Sequence, residues 1–231
     1  MWHGFVMSIA LLTPITVFGA SGFVVEPAGQ ATGSSCQSYA LAVALATKKD
    51  PAFRIDTAAD LRKTETAIRA EIKKLAGQSD VSHAHIQDGF ARYTGGKYVL
   101  KFKEVPEANI GTIVAEATGI TSSATVPSSF LLGVVVKDVV LASATRIAAD
   151  SYKNGHIFAI YGADGPPNSN RKFLILNSGV KVKDKRYSCE EGLPDDPGNY
   201  SASLSWKTTG EIAFKSVGGG NVKLWRVEKA H

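Results

Sequence analysis

The spacing of the apolar residues changes near the middle of this 231-residue chain, and this change constrains the fold more than any other feature. Up to about residue 120 the apolar positions recur at three- and four-residue intervals, as on one face of a helix. From residue 130 they form β-branched runs separated by Gly, Pro, Asn and Asp. Helices followed by an antiparallel sheet predict an α+β fold.

Four helices are predicted, over residues 36–48, 56–75, 82–93 and 107–118. The first is dense in Ala and Leu and is apolar nearly all round, so we expect it to be buried at the centre of the fold. Thr57, with Asp60 three residues later, predicts a capping box at the start of the second. Strands are predicted over residues 130–136, 156–162, 172–179, 201–206, 211–216 and 222–228.

The composition is that of an ordinary globular protein, with 44% hydrophobic and 20% charged residues. It excludes collagen-like, low-complexity and disordered classes. Lys and Arg number 26 against 21 Asp and Glu, a net charge of +5 that is scattered along the chain. No block of like charges marks a nucleic-acid arm, so no nucleic-acid partner is expected. The length and the lack of a linker predict a single domain over residues 23–231.

The first 22 residues contain no Asp, Glu, Lys or Arg, and their apolar core is shorter than the roughly 20 residues of a transmembrane helix. Ala20, Ser21 and Gly22 are the small residues that a signal-peptide cleavage site requires before Phe23. Residues 1–22 are therefore predicted to be a signal peptide, with a secreted or periplasmic mature chain that has no membrane contact. A buried first strand or helix is the alternative.

Two cysteines, Cys36 and Cys189, are too few for a disulfide scaffold or a four-thiolate zinc site. Cys36 follows a loop of small residues and opens the predicted buried helix. The positive end of a helix dipole lowers a thiol pKa and favours the reactive thiolate. The amide of Gln30 and backbone N–H groups of the loop could together hold an oxyanion.

Two further residues complete a possible catalytic set. His156 enters an apolar strand beside turn residues, and Asn177 ends the next strand at a Gly turn. Nucleophile, base and orienting residue in the order Cys36, His156, Asn177 match a generalised catalytic triad. Of the other histidines, His3 lies in the predicted signal, His231 is terminal, and His83 and His85 lie on an amphipathic helix without an obvious partner. His83 and His85 are about 200° apart on a helix, so no metal site is predicted, and no cofactor.

These segments resemble the papain-like cysteine peptidases. Gln30 stands six residues before Cys36, as in that family, and residues 35–40 are similar to its S-C-W-A-F region. Residues 155–162 resemble its H-A-V-x-x-V-G-Y strand, and residues 173–179 its Y-x-I-x-K-N-S-W-G strand. The resemblance implies a two-lobe fold, with a helical N-terminal lobe at about 36–120 and an antiparallel β lobe at about 128–229. It also implies Cys36, His156, Asn177 and Gln30 as the catalytic residues.

The chain departs from the family pattern in three places. Gln37 replaces the aromatic residue that usually follows the cysteine, and residues 177–179 lack the Trp that shields the Asn–His hydrogen bond. Trp206 or Trp225 is a candidate for that cover. Only 35 residues precede Cys36, so we expect a divergent branch without the long inhibitory pro-region.

The resulting hypothesis is an exported thiol hydrolase that cleaves peptide or isopeptide bonds of a protein or peptide substrate through an acyl-enzyme. One alternative is a catalytically silent papain-like binding or inhibitor module, in which Cys36 is buried or joined to Cys189 by a disulfide. Another is an acyl transferase or deamidase with the same triad. The substrate, the oligomeric state and any role of Cys189 are left open by the sequence.

Overall fold

A computed structural model of the chain describes residues 35–126, 136–147, 150–165, 172–178, 200–205 and 212–231. The predicted signal peptide, Gln30, Cys189, Trp206 and most of the first predicted strand lie outside the described residues.

The four predicted helices are confirmed, with ends that differ from the predictions by a few residues. They are α1 (Cys36–Ala46), α2 (Ala58–Ala76), α3 (His83–Tyr93) and α4 (Ile110–Thr118). The capping box predicted at Thr57 and Asp60 is present, since each side chain accepts a backbone N–H of the other residue. Ser82 and His85 form a second capping box, which begins α3 at His83.

The strands form an eight-stranded antiparallel sheet, so the predicted α+β class is confirmed. They are β1 (Tyr98–Pro106), β2 (Val140–Ile147), β3 (Asp150–Asp164), β4 (Lys172–Asn177), β5 (Tyr200–Ser205), β6 (Ile212–Phe214), β7 (Ser216–Val217) and β8 (Asn221–Lys229). The main order is β1-β8-β2-β3-β4-β5, with β6 paired to β2 and β7 paired to β8.

Two of these strands were not predicted. β1 lies within residues 36–120, the range expected to form a helical lobe, and pairs along its whole length with β8, from Tyr98 opposite Lys229 to Pro106 opposite Asn221. β2 is built largely from small residues and pairs with β3 and β8. The helical half of the chain therefore contributes an edge strand to the sheet, because long-range pairing decides strand formation there.

The sheet has a hydrophobic core on each face. Helices α1, α2 and α3 share one core with Ala159 and Tyr161 of β3. Helix α4 shares the other with Phe158 and Ile160 of the same strand. We call these the α1 face and the α4 face. Because side chains alternate along a strand, every position of β3 from 156 to 160 can be placed on one of the two faces.

Helix α1 is the most deeply buried helix in the described part of the chain. All its residues from Ser38 to Ala46 are buried. Each fully buried Leu, such as Leu41 and Leu45, contributes roughly 1.5–3 kcal/mol. This burial fits the apolar character of α1 on all sides, and it fixes the position of Cys36 at the helix start.

Helices α2 and α3 approach each other closely at Gly89 of α3. A Cβ atom added to Gly89 would lie 2.8 Å from both the Cα and the backbone N of Ile72. No side chain larger than hydrogen fits at this crossing without moving one of the helices.

A buried carboxylate connects the end of α1 to the sheet. Asp138 accepts hydrogen bonds from Lys48 Nζ and Arg226 Nη2, both at 2.8 Å, and from the Val139 N–H at 2.8 Å. The carboxylate is thereby paired with two cations, which is the condition under which a buried charge is tolerated.

Candidate functional site

Cys36 is the first residue of α1 and is partly buried. Its Sγ donates to Gln37 Oε1 at 3.3 Å. The N-cap residue, Ser35, makes no side-chain cap of the helix, because its hydroxyl donates instead to Glu65 Oε1 of α2 at 2.5 Å. The positive end of the α1 dipole is therefore not neutralised by the usual capping oxygen, and it favours a thiolate at Cys36.

A small pocket lies next to the first turn of α1. Its lining is apolar except for Gln37 and His83, and it combines residues from α1, α3 and the strands β1, β2, β3 and β8. The lining residues are Gln37, Leu41, His83, Ile86, Leu100, Leu141, Ile157 and Trp225. Cys36 does not itself line the pocket, but its Sγ donates a hydrogen bond to the amide oxygen of Gln37, which does.

His83 is the pocket residue that the sequence analysis missed. Its ring centroid lies 5.5 Å from that of Trp225, with the ring planes inclined by 56°. Desolvation lowers the pKa of His83, and the positive charges of Lys223 and Lys215 lower it further. A neutral imidazole is thereby favoured near neutral pH. The Ser82 cap predicts the start of α3, but no local pattern predicts the ring of Trp225 beside His83.

His156 lies in β3, directly opposite Ala144 of β2, and is 1% exposed. Strand alternation places it on the α4 face with Phe158, whereas its neighbour Ile157 lies on the α1 face and lines the pocket. Gln37 and Ile157, the neighbours of Cys36 and His156 in the chain, both line the pocket, whereas His156 itself lies on the face of the sheet opposite α1.

Asn177 is the last residue of β4. Ala159 of β3 pairs with Leu176, so continuing the register by one residue puts position 177 opposite Phe158. This register places position 177 on the same sheet face as His156. Two of the predicted triad positions therefore share the α4 face, whereas α1, which begins at Cys36, packs on the α1 face.

One of the two tryptophans proposed to cover such a pair lies on the other face of the sheet. Trp225 lies in the core of the α1 face and lines the pocket beside His83. His156 and position 177 lie on the α4 face. Of the two tryptophans proposed as a cover, Trp225 therefore serves the pocket, and Trp206 is outside the described residues.

Two lysines, Lys215 and Lys223, carry the positive charges that act on His83. The side chain of Lys215 lies over Gly155, since a Cβ built at Gly155 would be 3.0 Å from Lys215 Cδ and 3.0 Å from Ser143 Oγ. Gly155 also has φ +79°, so glycine is favoured there by conformation as well as by space. The Nζ of Lys223 lies 4.5 Å from the centroid of the Phe102 ring.

Within the described ranges, no group of three or more His, Cys, Asp or Glu side chains is arranged to hold a metal ion. Among the same residues, no helix combines the length and apolar character needed to cross a bilayer. Comparison with protein-family models and with curated proteins finds no match for this chain. Among the residues that line the pocket, His83 supplies an imidazole, and Gln37 connects the lining to the Cys36 thiol by a hydrogen bond.

Proposed function

We propose that the protein is a thiol hydrolase that cleaves peptide or isopeptide bonds on a papain-like two-lobe fold. The observation that carries the proposal is Cys36: a partly exposed thiol at the first residue of a buried helix, hydrogen-bonded to a residue that lines a pocket. A cysteine held in this way is better suited to attack a bound carbonyl than to stabilise the core.

The reaction proceeds in two steps. The Cys36 thiolate attacks the carbonyl carbon of the substrate, and the carbon–nitrogen bond breaks as the amine leaves with a proton from the imidazolium. Water then attacks the thioester, the imidazole takes its proton, and the carboxylic acid leaves as Cys36 regains its thiolate. No redox partner is needed, because no atom changes its oxidation state.

Each remaining role is assigned to a predicted residue. We assign the proton to His156 and the orientation of its imidazole to Asn177, as the order Cys36, His156, Asn177 predicts. Strand alternation puts His156 on the α4 face, so the comparison of His156→Ala with His83→Ala decides which imidazole serves Cys36. The backbone N–H of Cys36 and the amide of Gln30 stabilise the oxyanion. Cys36 is the first residue of α1, so its N–H belongs to the first turn, where a helix supplies no intrahelical acceptor.

The nucleophile is tested by comparing Cys36→Ala with Cys189→Ser on a fluorogenic peptide library and on casein. Cys36→Ala is expected to abolish turnover, whereas Cys189→Ser, which removes the other thiol, is expected to keep it. Urea denaturation of both variants controls for folding. Native-rate cleavage by Cys36→Ala would show that the proposal is wrong, and a reactive Cys36 thiol without turnover of any substrate would favour the silent binding module.

The proton acceptor is tested by the pH dependence of iodoacetamide alkylation in the Cys189→Ser background, where Cys36 is the sole thiol. We expect His156→Ala to raise the thiol pKa and to reduce kcat about 10²–10⁴-fold, the usual contribution of a general acid–base. His83→Ala is the matched imidazole deletion and is expected to change the thiol pKa less. The reverse pattern would assign the proton transfer to His83 and overturn the triad.

A further inference from the structure

A carboxylate interrupts the apolar stripe of α2. Leu61, Ile68 and Ile72 are at most 1% exposed and pack in the core of the α1 face. Glu65 stands among them at helical spacing and is itself only 1% exposed. A buried carboxylate is costly to desolvate, and a core position of this kind is ordinarily apolar. The presence of Glu65 in this stripe therefore calls for a specific partner.

That partner lies at the start of α1. Glu65 Oε1 accepts the Ser35 hydroxyl at 2.5 Å, across 30 residues of chain, and Ser35 is 0% exposed. Ser35 is the N-cap residue of α1, its carbonyl accepts the Tyr39 N–H at 2.8 Å, and Cys36 follows it directly. The bond therefore ties α2 to the residue that precedes the proposed nucleophile.

The same bond determines where the Ser35 hydroxyl points. An N-cap serine normally accepts the N–H of the second or third helical residue, here Gln37 or Ser38, but Ser35 makes no such cap. Without Glu65 as an acceptor, we expect the hydroxyl to turn to these N–H groups, because a cap stabilises a helix start. The capping oxygen would then oppose the positive end of the α1 dipole, which favours a thiolate.

We propose that Glu65 is a positioning residue for Cys36, which keeps the Ser35 hydroxyl from capping the helix turn that carries the thiol. The inference rests on the proposed thiol hydrolase for its catalytic consequence, whereas the reactivity of the thiol can be measured without turnover. The negative charge of Glu65 opposes a nearby thiolate, so the hydrogen bond, and not the charge, serves Cys36.

The first test compares Glu65→Gln with Glu65→Leu in the Cys189→Ser background, by the pH dependence of iodoacetamide alkylation. Both variants lack the charge, but only glutamine offers an oxygen to the Ser35 hydroxyl, so their difference reports the hydrogen bond. We expect the higher thiol pKa in Glu65→Leu. Below that pKa, its alkylation should be about twofold to fivefold slower than in Glu65→Gln, the effect of one dipole interaction at a helix end. Equal alkylation of the two variants overturns the proposal.

A second substitution separates positioning from loss of structure. Adding Ser35→Ala to Glu65→Leu leaves no hydroxyl to cap α1, so alkylation should return to the rate of Glu65→Gln. A merely structural role would make the two losses add, and a double variant that stays slow overturns the proposal. Leucine continues the apolar stripe, so the urea midpoint of Glu65→Leu should be no lower than that of Glu65→Gln. Glu65→Met repeats the comparison with a flexible apolar side chain should leucine fail to pack.

Glu71→Leu is the matched control. Glu71 lies six residues after Glu65 on α2 and makes its ion pair within that helix. Its substitution should leave the alkylation rate close to that of the parent, and a loss as large as that of Glu65→Leu overturns the proposal. Arg62 and Arg69, one turn before and after Glu65, and His83 beside Gln37 in the pocket are the titratable groups around this contact, and every variant retains them.

Turnover distinguishes this inference from the proposed function. On a fluorogenic peptide, kcat/KM of Glu65→Leu should lie below that of Glu65→Gln at neutral pH and approach it at higher pH, as the thiol ionises. Turnover that is equal in the two variants at every pH overturns this inference and leaves the thiol hydrolase intact. The alkylation difference without turnover of any peptide retains the positioning role of Glu65 and overturns the hydrolase.

Discussion

Replacing Gly89 by Ala should destabilise the protein, although Ala is favoured over Gly inside a helix by about 1 kcal/mol. The added Cβ would meet Ile72 Cγ1 at 2.6 Å and the Ile72 Cα and N at 2.8 Å, closer than real Cβ contacts allow. The side chain can rotate away, but the backbone atoms move only if α2 and α3 separate. Overpacking costs up to about 3 kcal/mol, so we expect a net loss of about 2 kcal/mol.

The measurement is urea denaturation of the parent and the variant, read by circular dichroism. A loss of about 2 kcal/mol corresponds to a fall in Tm of roughly 4–8 °C for a chain of this length. Adding Ile72→Ala removes the Cγ1 contact but not the backbone contacts, so it should not restore stability. Asp88→Ala, at the exposed neighbouring position of α3, is the control and should stay within about 0.5 kcal/mol. Unchanged or increased stability of Gly89→Ala would refute the reasoning.

Two further predictions concern buried carboxylates. Asp138→Asn leaves Lys48 and Arg226 without their counter-charge. Because these two side chains are 17% and 43% exposed, we expect the free energy of unfolding measured in urea to fall by about 2 kcal/mol, which is less than the full cost of breaking a buried pair. A loss under about 0.5 kcal/mol would contradict it. The pKa of Asp50 is lowered to about 2 by Lys97, the Ala52 N–H and Tyr98, from 3.8. This carboxylate stabilises the fold above pH 3.8, and that stability is lost as the pH falls toward 2. The urea midpoints of the parent and Asp50→Asn should therefore converge over this range, and a constant difference would exclude the linkage.

The helices of this protein could be predicted because their signals are local. The apolar run that begins at Cys36 predicts a buried helix, and α1 is buried from Ser38 to Ala46. Thr57 and Asp60 predict a capping box that depends on residues three positions apart, and the box is present. In the same way, the helix start at Cys36, on which the proposed nucleophile depends, followed from the sequence.

The edge strand and the pocket required the tertiary structure. β1 lies between two helices in the chain and becomes a strand through pairing with β8, more than 110 residues later. His83 and Trp225, whose rings meet at the pocket, are likewise more than 110 residues apart in the chain. Lys223 and Phe102 are also this far apart, and the pairing of β8 with β1 brings them together. Caps and periodicity act within a few residues and can be recognised in the sequence, whereas cross-strand neighbours are chosen by the packing of the whole chain, so only the folded structure decides what surrounds Cys36.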